Sequence, residues 1–222
     1  MKLNLLLCSS CLLLTSALGQ ATPVLTVGTP GDAMLSKPTG PSPTLGNLIN
    51  FDSLTAFSTF TPSTFASQGV TISSPDGLVV FPFSTQSGPN ELFDNSPDGS
   101  ANITVGLGLG VTAIGIGIAD SDPVSITLQA LAANGSNLGA AFTIPLSTTE
   151  SAVNTGNGYY VLQDNTSDIF GLRITQSVGN AAAFSGLAID DLQTTPEPSA
   201  VLLLALGAAM ILGSSRLRRR TG

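Results

Sequence analysis

Histidine and tryptophan are absent from this chain of 222 residues, and cysteine occurs only twice. Both cysteines, Cys8 and Cys11, lie in an apolar stretch near the N-terminus, so the rest of the chain has no thiol. A histidine-based catalytic triad, a cysteine nucleophile, the usual zinc site and a disulfide in the body of the protein are therefore excluded. This shortage of chemically versatile side chains predicts a protein that is not an enzyme.

Charged residues are also scarce, at 9% of the chain, and the basic ones lie mostly at its ends. Between Gln20 and Thr195 only Lys37 and Arg173 are basic, whereas every acidic residue except Glu197 lies in that span. Such a surface repels phosphate backbones, so nucleic acid is excluded as a partner. Polysaccharides, metal cations and basic proteins stay open as partners.

Glycine and proline are abundant, with 24 and 14 residues, in a chain that is 42% apolar. A folded chain with this composition is typical of an all-β protein with many turns. Residues 20–47 predict a Pro/Gly-rich N-terminal arm with one candidate strand at 24–27, and residues 48–193 predict a jelly-roll-like β-sandwich. The other candidate strands are 48–51, 70–73, 78–83, 103–109, 111–119, 124–132, 141–146, 159–162, 170–175 and 184–192.

The clearest strand pattern is the alternation that starts at Ile103. Apolar residues share one parity as far as Val111 and the other parity from Ile114 onward, so the phase changes near Thr112. A bulge, or a bend between two strands, is expected there. The glycines lack the spacing of a phosphate-binding loop and are expected to thin one sheet face for close packing. They lie at positions 106, 108, 110, 115 and 117.

The N-terminus has the layout of a secretory signal peptide. Lys2 precedes an apolar run that ends in the small residues Ala17 and Gly19. This pattern predicts a signal peptide at 1–19 with cleavage before Gln20, and hence an exported protein.

The C-terminus carries a second apolar run, at 199–213, followed by a basic tail at 216–220. A helix of this length measures roughly 22 Å, which is short for a ~30 Å hydrocarbon core. Snorkelling arginines and local bilayer thinning close that gap, so a single transmembrane helix is predicted. The basic tail stays cytoplasmic by the positive-inside rule, which places the preceding domain across the inner membrane. Its arginines are Arg216, Arg218, Arg219 and Arg220.

Directly before this run stand Pro196, Glu197 and Pro198. The two prolines fix φ and withhold two N–H donors, which keeps the segment extended and open to an enzyme's cleft. The tripeptide, the apolar helix and the basic tail, in this order over residues 194–222, resemble the PEP-CTERM sorting signal of Gram-negative bacteria. The resemblance implies recognition and cleavage by a membrane-embedded exosortase. It also implies delivery to the cell surface or the extracellular matrix.

Acidic residues also suggest a metal hypothesis. The run 184–192, with Asp190 and Asp191, is similar to the last strand of jelly-roll modules that bind carbohydrate. In those modules an acidic residue near the first strand and one on the last often share a structural calcium, which implies a calcium site at Asp52, Asp190 and Asp191. The pair Asp120 and Asp122 is a further acidic group considered as a source of metal ligands. Solvated turn and edge residues are the more ordinary interpretation, because aspartate is common in turns.

These observations predict a structural or adhesive protein of the cell surface or matrix, within exopolysaccharide. One alternative is a calcium-stabilised carbohydrate-binding module. A secreted hydrolase is a further alternative, because two carboxylates suffice for glycoside hydrolysis. Sugar subsites normally offer several stacking rings, however, and this chain has only two tyrosines, Tyr159 and Tyr160. That dipeptide predicts one ring on each side of its strand, either as a small binding platform or, as is more common, with one ring in the core.

Overall fold

The computed structural model of this protein is all-β. It describes residues 22–27, 45–82, 89–97, 100–120, 125–144, 158–166, 168–176 and 187–195. A 3-10 turn at Ala66–Gln68 precedes β3. The strands are β1 (Val24–Val27), β2 (Gly46–Ile49), β3 (Val70–Ser73), β4 (Leu78–Phe81), β5 (Glu91–Asp94), β6 (Ala101–Val111), β7 (Ala113–Asp120), β8 (Ile126–Leu131), β9 (Phe142–Ile144), β10 (Gly158–Gln163), β11 (Ile169–Gln176) and β12 (Leu187–Thr194).

The strands form two antiparallel sheets. The seven-stranded sheet has the order β1-β10-β7-β12-β5-β4, with β2 also paired to β12. The five-stranded sheet has the order β3-β6-β11-β8-β9. Apolar side chains from both sheets form one continuous core, which makes the architecture sandwich-like. The predicted all-β sandwich is thereby confirmed.

Several strand predictions match closely, and one strand was missed. Residues 70–73 form β3 as predicted, and the candidate strand at 24–27 is β1, the edge strand that pairs with β10. β2 begins at Gly46, so the seven-stranded sheet includes two segments of the predicted N-terminal arm. The sequence did not predict β5, because its four residues begin and end with an acidic side chain. Pairing with β4 and β12, rather than an apolar pattern of its own, stabilises this strand.

The predicted phase change at Thr112 marks the point where the chain passes from one sheet to the other. β6 ends at Val111 in the five-stranded sheet, and β7 begins at Ala113 in the seven-stranded sheet. Each strand directs its apolar residues between the sheets, so the parity of the buried positions changes where the chain changes sheets. Ile103 and Ile114 are both fully buried, although they lie at opposite parities.

One prediction of the alternation was wrong. Leu109 shares the parity of Ile103 but is 57% exposed. Its strand is bulged: Ile169 of β11 pairs with Val111, whereas Gly171 pairs with Gly106, so extra residues of β6 are unmatched by β11. A bulge breaks the alternation of side chains between faces, and Leu109 therefore leaves the core.

An aromatic group closes the core near β2. Phe51, Phe60 and Phe65 have ring centroids 5.8–6.4 Å apart, and all three are buried. Residues 57–60 also cover the free edge of β4, because the N–H groups of Phe57 and Phe60 donate to the carbonyls of Val80 and Leu78. The edge of this sheet is thus protected from pairing with other chains.

Candidate functional site

The predicted sorting residues lie outside the described part of the chain, which ends at Thr195. The signal peptide at 1–19 and the predicted transmembrane helix at 199–213 also lie outside it. Within the described ranges, no helix is long and apolar enough to cross a membrane. The sorting signal is therefore still a prediction from the sequence. Its residues are Pro196, Glu197, Pro198, Arg216, Arg218, Arg219 and Arg220.

Hydrogen bonds of Thr195 connect the end of β12 to Thr112 and Ala113, where the chain passes from one sheet to the other. Its Oγ1 accepts hydrogen bonds from the N–H groups of Thr112 and Ala113, each at 3.1 Å. Its own N–H donates to the carbonyl of Ala113 at 3.0 Å. Because Thr195 is 6% exposed, the ordered sandwich extends up to the residue that precedes Pro196.

Asp52, the first candidate calcium ligand, follows β2 and contacts the residue before β5. Its Oδ1 accepts from the N–H of Asn90 at 3.5 Å. Asn90 Nδ2 donates to the carbonyls of Asp52 and Leu54 at 3.1 and 3.0 Å. Asn90 is buried, so these bonds hold the segment after β2 firmly against β5.

Asp190 and Asp191 lie at an irregularity in β12. The pairing of β12 with β7 shifts register between Asp190 and Gln193, and Asp191 has a φ of 47°. The N–H of Asp191 donates to Asp190 Oδ1 at 2.8 Å. Asp190 is buried and Asp191 is half-buried. This irregularity interrupts the regular alternation of side chains along β12 at the two candidate ligands.

The structure does not assemble a metal centre from the described residues. No group of three or more Cys, Asp and Glu side chains that could hold a metal ion occurs in these ranges. Asp122 lies outside them, and Asp120 is the last residue of β7. Calcium sharing by Asp52, Asp190 and Asp191 is therefore still a prediction, to be tested by chelation.

The two tyrosines lie on opposite sides of β10, as the sequence predicted. Tyr160 packs in the core, whereas Tyr159 packs with Ala113 and Val161 in a smaller cluster covered by Leu45. Tyr159 donates from its hydroxyl to Gln193 Oε1 at 2.9 Å. Burial, together with the nearby Asp191 carboxylate, raises the pKa of Tyr159 well above its ordinary value. Neither ring is an exposed platform for stacking.

Gly115 makes room for the Tyr159 ring. A Cβ on Gly115 would lie 2.5 Å from the Tyr159 hydroxyl oxygen and 2.7 Å from a methyl carbon of Leu45. These distances are too short for real contacts, so only glycine allows the ring and the leucine to lie on β7. The expectation that glycine thins a sheet face for close packing is confirmed at this position.

The exposed aromatic surface lies elsewhere, on the outer face of the seven-stranded sheet. Phe57 and Phe81 meet edge to face with centroids 5.5 Å apart, and Phe81 lies 5.7 Å from Phe93. Phe81 and Phe93 alternate with the core residues Val80 and Leu92, so they lie on the side of the sheet away from the core. Phe57, Phe81 and Phe93 are called the aromatic row below.

Phe57 is the most unusual member of the aromatic row. Its φ is 60°, a left-handed conformation that bulky residues rarely adopt, and its side chain is 69% exposed. The sequence contains no signal for this conformation, because the residue is neither glycine nor asparagine. The row was therefore missed at the sequence level, because Phe81 and Phe93 share a face only through the pairing of β4 with β5, a strand that the sequence did not predict.

Comparison with known proteins gives structural similarities only. No family model matches this chain, and no curated protein matches it. Among solved structures, the K1 cleaved adhesin domain of Lys-gingipain from Porphyromonas gingivalis aligns with a TM-score of 0.44 and 8% identity. That alignment covers 68% of this chain and 99% of the adhesin domain.

Two carbohydrate-related structures also align. The xylan-binding domain CBM22-1 from Paenibacillus barcinonensis has a TM-score of 0.37 and 13% identity, with 69% of this chain and 95% of that domain covered. An arabinose-bound α-L-arabinofuranosidase has a TM-score of 0.44 and 14% identity, with 78% of this chain covered. The match spans 32% of that enzyme's length.

Proposed function

We propose that this protein is an exported, non-catalytic, jelly-roll-like sandwich that is delivered to the cell surface or the extracellular matrix. There it has a structural or adhesive role within exopolysaccharide. The observation that carries the proposal is the position of Thr195. The last strand is hydrogen-bonded up to this residue, and the Pro196-Glu197-Pro198 tripeptide follows directly. The sandwich and the predicted sorting signal are thus adjacent in sequence.

The route of delivery rests on the C-terminal sequence. A signal peptide at 1–19 exports the chain, and the apolar run at 199–213 holds it in the inner membrane with the sandwich in the periplasm. An exosortase then reads Pro196-Glu197-Pro198 and removes the membrane segment and the basic tail. An extended proline-flanked tripeptide just outside the membrane is accessible to a membrane-embedded enzyme.

A Glu197→Ala variant tests this route in the native host. Because the tripeptide lies outside the apolar-patterned region of the sequence, we expect normal folding but accumulation of the unprocessed membrane form. Intact-mass measurement of surface-extracted protein identifies the processed form by the absence of Arg216 to Arg220. A graft of residues 195–222 onto an unrelated exported protein is expected to confer the same processing. If the variant matures normally and the graft changes nothing, the tail is only a membrane anchor.

A carbohydrate-binding module is the second candidate function, and the aromatic row favours it. Aromatic side chains present a large apolar area at low entropic cost, and one of these rings is held exposed to solvent. A calcium ion bound by Asp52, Asp190 and Asp191 would stabilise such a module, since Asp52 precedes the segment that carries Phe57. This candidate function is compatible with the first, because an adhesive matrix protein needs a ligand.

A further inference from the structure

Phe57 combines an unfavourable backbone conformation with an exposed ring. A bulky side chain at a φ of 60° is strained, and the strain persists only where the surroundings enforce it. Residues with favourable core packing compensate such strain by burial, but Phe57 is 69% exposed. Folding alone therefore gives no reason for an aromatic residue at this position, where glycine would be relaxed.

The surrounding segment fixes the position of this ring. Asn90 holds the carbonyls of Asp52 and Leu54, and Phe57 donates its N–H to the carbonyl of Val80 at 2.7 Å. Ser58 Oγ donates to the carbonyl of Thr55 at 2.6 Å. The ring is thus preorganised beside Phe81, and preorganisation lowers the entropic cost of binding.

We propose that the aromatic row is a stacking site for a neutral polysaccharide whose sugar rings present an apolar C–H face. The inference rests on the proposed adhesive role and names the class of ligand and the residues that bind it. Phe57 supplies the principal stacking surface, and Phe81 and Phe93 support and extend it. The edge-to-face contact with Phe81 orients the Phe57 ring.

Charge decides between neutral and anionic polysaccharides. The described residues include one basic side chain, Arg173, which lies on β11 in the other sheet and contacts Asn137. Acidic residues outnumber basic ones throughout the body of the chain. A polymer of uronic acids or sulfated sugars would be repelled, so the ligand is neutral.

Size decides between a polysaccharide and a protein partner. The aromatic row has three rings, and two of them are half-buried. Its exposed apolar area is therefore well below the ~800 Å² that each partner contributes to a stable protein interface. A surface of this size matches one or two sugar rings.

The test uses purified full-length protein and three neutral probes: cellulose, a β-1,3-glucan and a β-1,4-galactan. Alginate serves as the anionic probe. We expect retention by at least one neutral polymer in pull-down or affinity electrophoresis and none by alginate. Loss of one phenyl ring that is buried in the complex corresponds to roughly tenfold to hundredfold weaker binding. We expect this loss for Phe57→Gly, whereas Phe57→Tyr keeps the stacking ring and binding.

Thermal unfolding distinguishes a binding role of Phe57 from a structural role. Glycine relieves the strained φ, so Phe57→Gly is expected to keep or raise the melting temperature while binding is lost. Leu109→Ala is the matched control, since Leu109 is similarly exposed but lies on the five-stranded sheet. It is expected to bind normally.

Four results would overturn the proposal: retention by none of the neutral polymers, equal binding by Phe57→Gly, a lower melting temperature of that variant, or Phe57-dependent self-association without polysaccharide. Processing of Glu197→Ala is measured separately. Failure of sorting and failure of binding are thus distinguishable.

Discussion

Replacement of Thr195 by valine removes a hydroxyl group and preserves the shape of the side chain. In the native protein, Thr195 Oγ1 lies 3.0 Å from the Thr112 hydroxyl and also accepts hydrogen bonds from two backbone donors, the N–H groups of Thr112 and Ala113. Valine leaves both donors at the sheet-to-sheet corner without this acceptor. Ala113 is fully buried, so water cannot replace the hydroxyl there, whereas Thr112 is half-buried.

An unsatisfied buried donor costs about 1–3 kcal/mol. Two such donors, one of them partly accessible to water, should lower the free energy of unfolding by about 2–4 kcal/mol. The backbone hydrogen bond from Thr195 to Ala113 is unaffected and limits the loss. A marginally stable domain loses a large fraction of its stability through such a change.

Urea unfolding measures this effect. With a slope of about 2 kcal/mol per molar urea, the midpoint should fall by about 1–2 M. Thr195→Ser keeps the hydroxyl and should stay close to the native midpoint. Thr143→Val alters an exposed side chain on β9 and should change stability by less than about 0.5 kcal/mol. A Thr195→Val midpoint equal to that of Thr143→Val would refute the role assigned to the hydroxyl.

Two further predictions concern acidic residues. Burial raises the pKa of Asp94 above its ordinary value, an effect that hydrogen bonds from the Asn102 N–H and the Ser74 hydroxyl reduce. The folded state therefore binds a proton at the Asp94 carboxylate more tightly than the unfolded state does. Stability should fall as pH rises from about 4 towards the raised pKa, and Asp94→Asn should remove that part of the slope in a pH series of urea midpoints. A slope that Asp94→Asn leaves unchanged would contradict this assignment. If Asp52, Asp190 and Asp191 share calcium, a calcium concentration a hundredfold above Kd stabilises the folded state by roughly 2.7 kcal/mol. Chelation should remove this stabilisation and lower the melting temperature. Asp191→Ala should abolish the response, and an unchanged melting curve in excess chelator would return these residues to ordinary turn and edge roles.

Local patterns in the sequence were sufficient for the fold class and for the change of phase at Thr112, whereas the passage from one sheet to the other at this point is seen only in the structure. The period of two in β6 and β7 follows from alternate burial of side chains, which is visible along a single strand. The change of parity at Thr112 is visible for the same reason, since each strand must direct its apolar residues to one core. The opposite orientations of Tyr159 and Tyr160 also follow from this period.

Contacts between distant segments decided the rest. β5 has no apolar pattern of its own and forms because β4 and β12 lie on either side of it. Tyr159 is buried because Leu45 and Gly115, far apart in the sequence, meet at its ring. The left-handed backbone of Phe57 depends on hydrogen bonds to Val80 and on the anchor at Asn90. Such features have no periodic signature, because their energies come from partners that only the folded chain brings together.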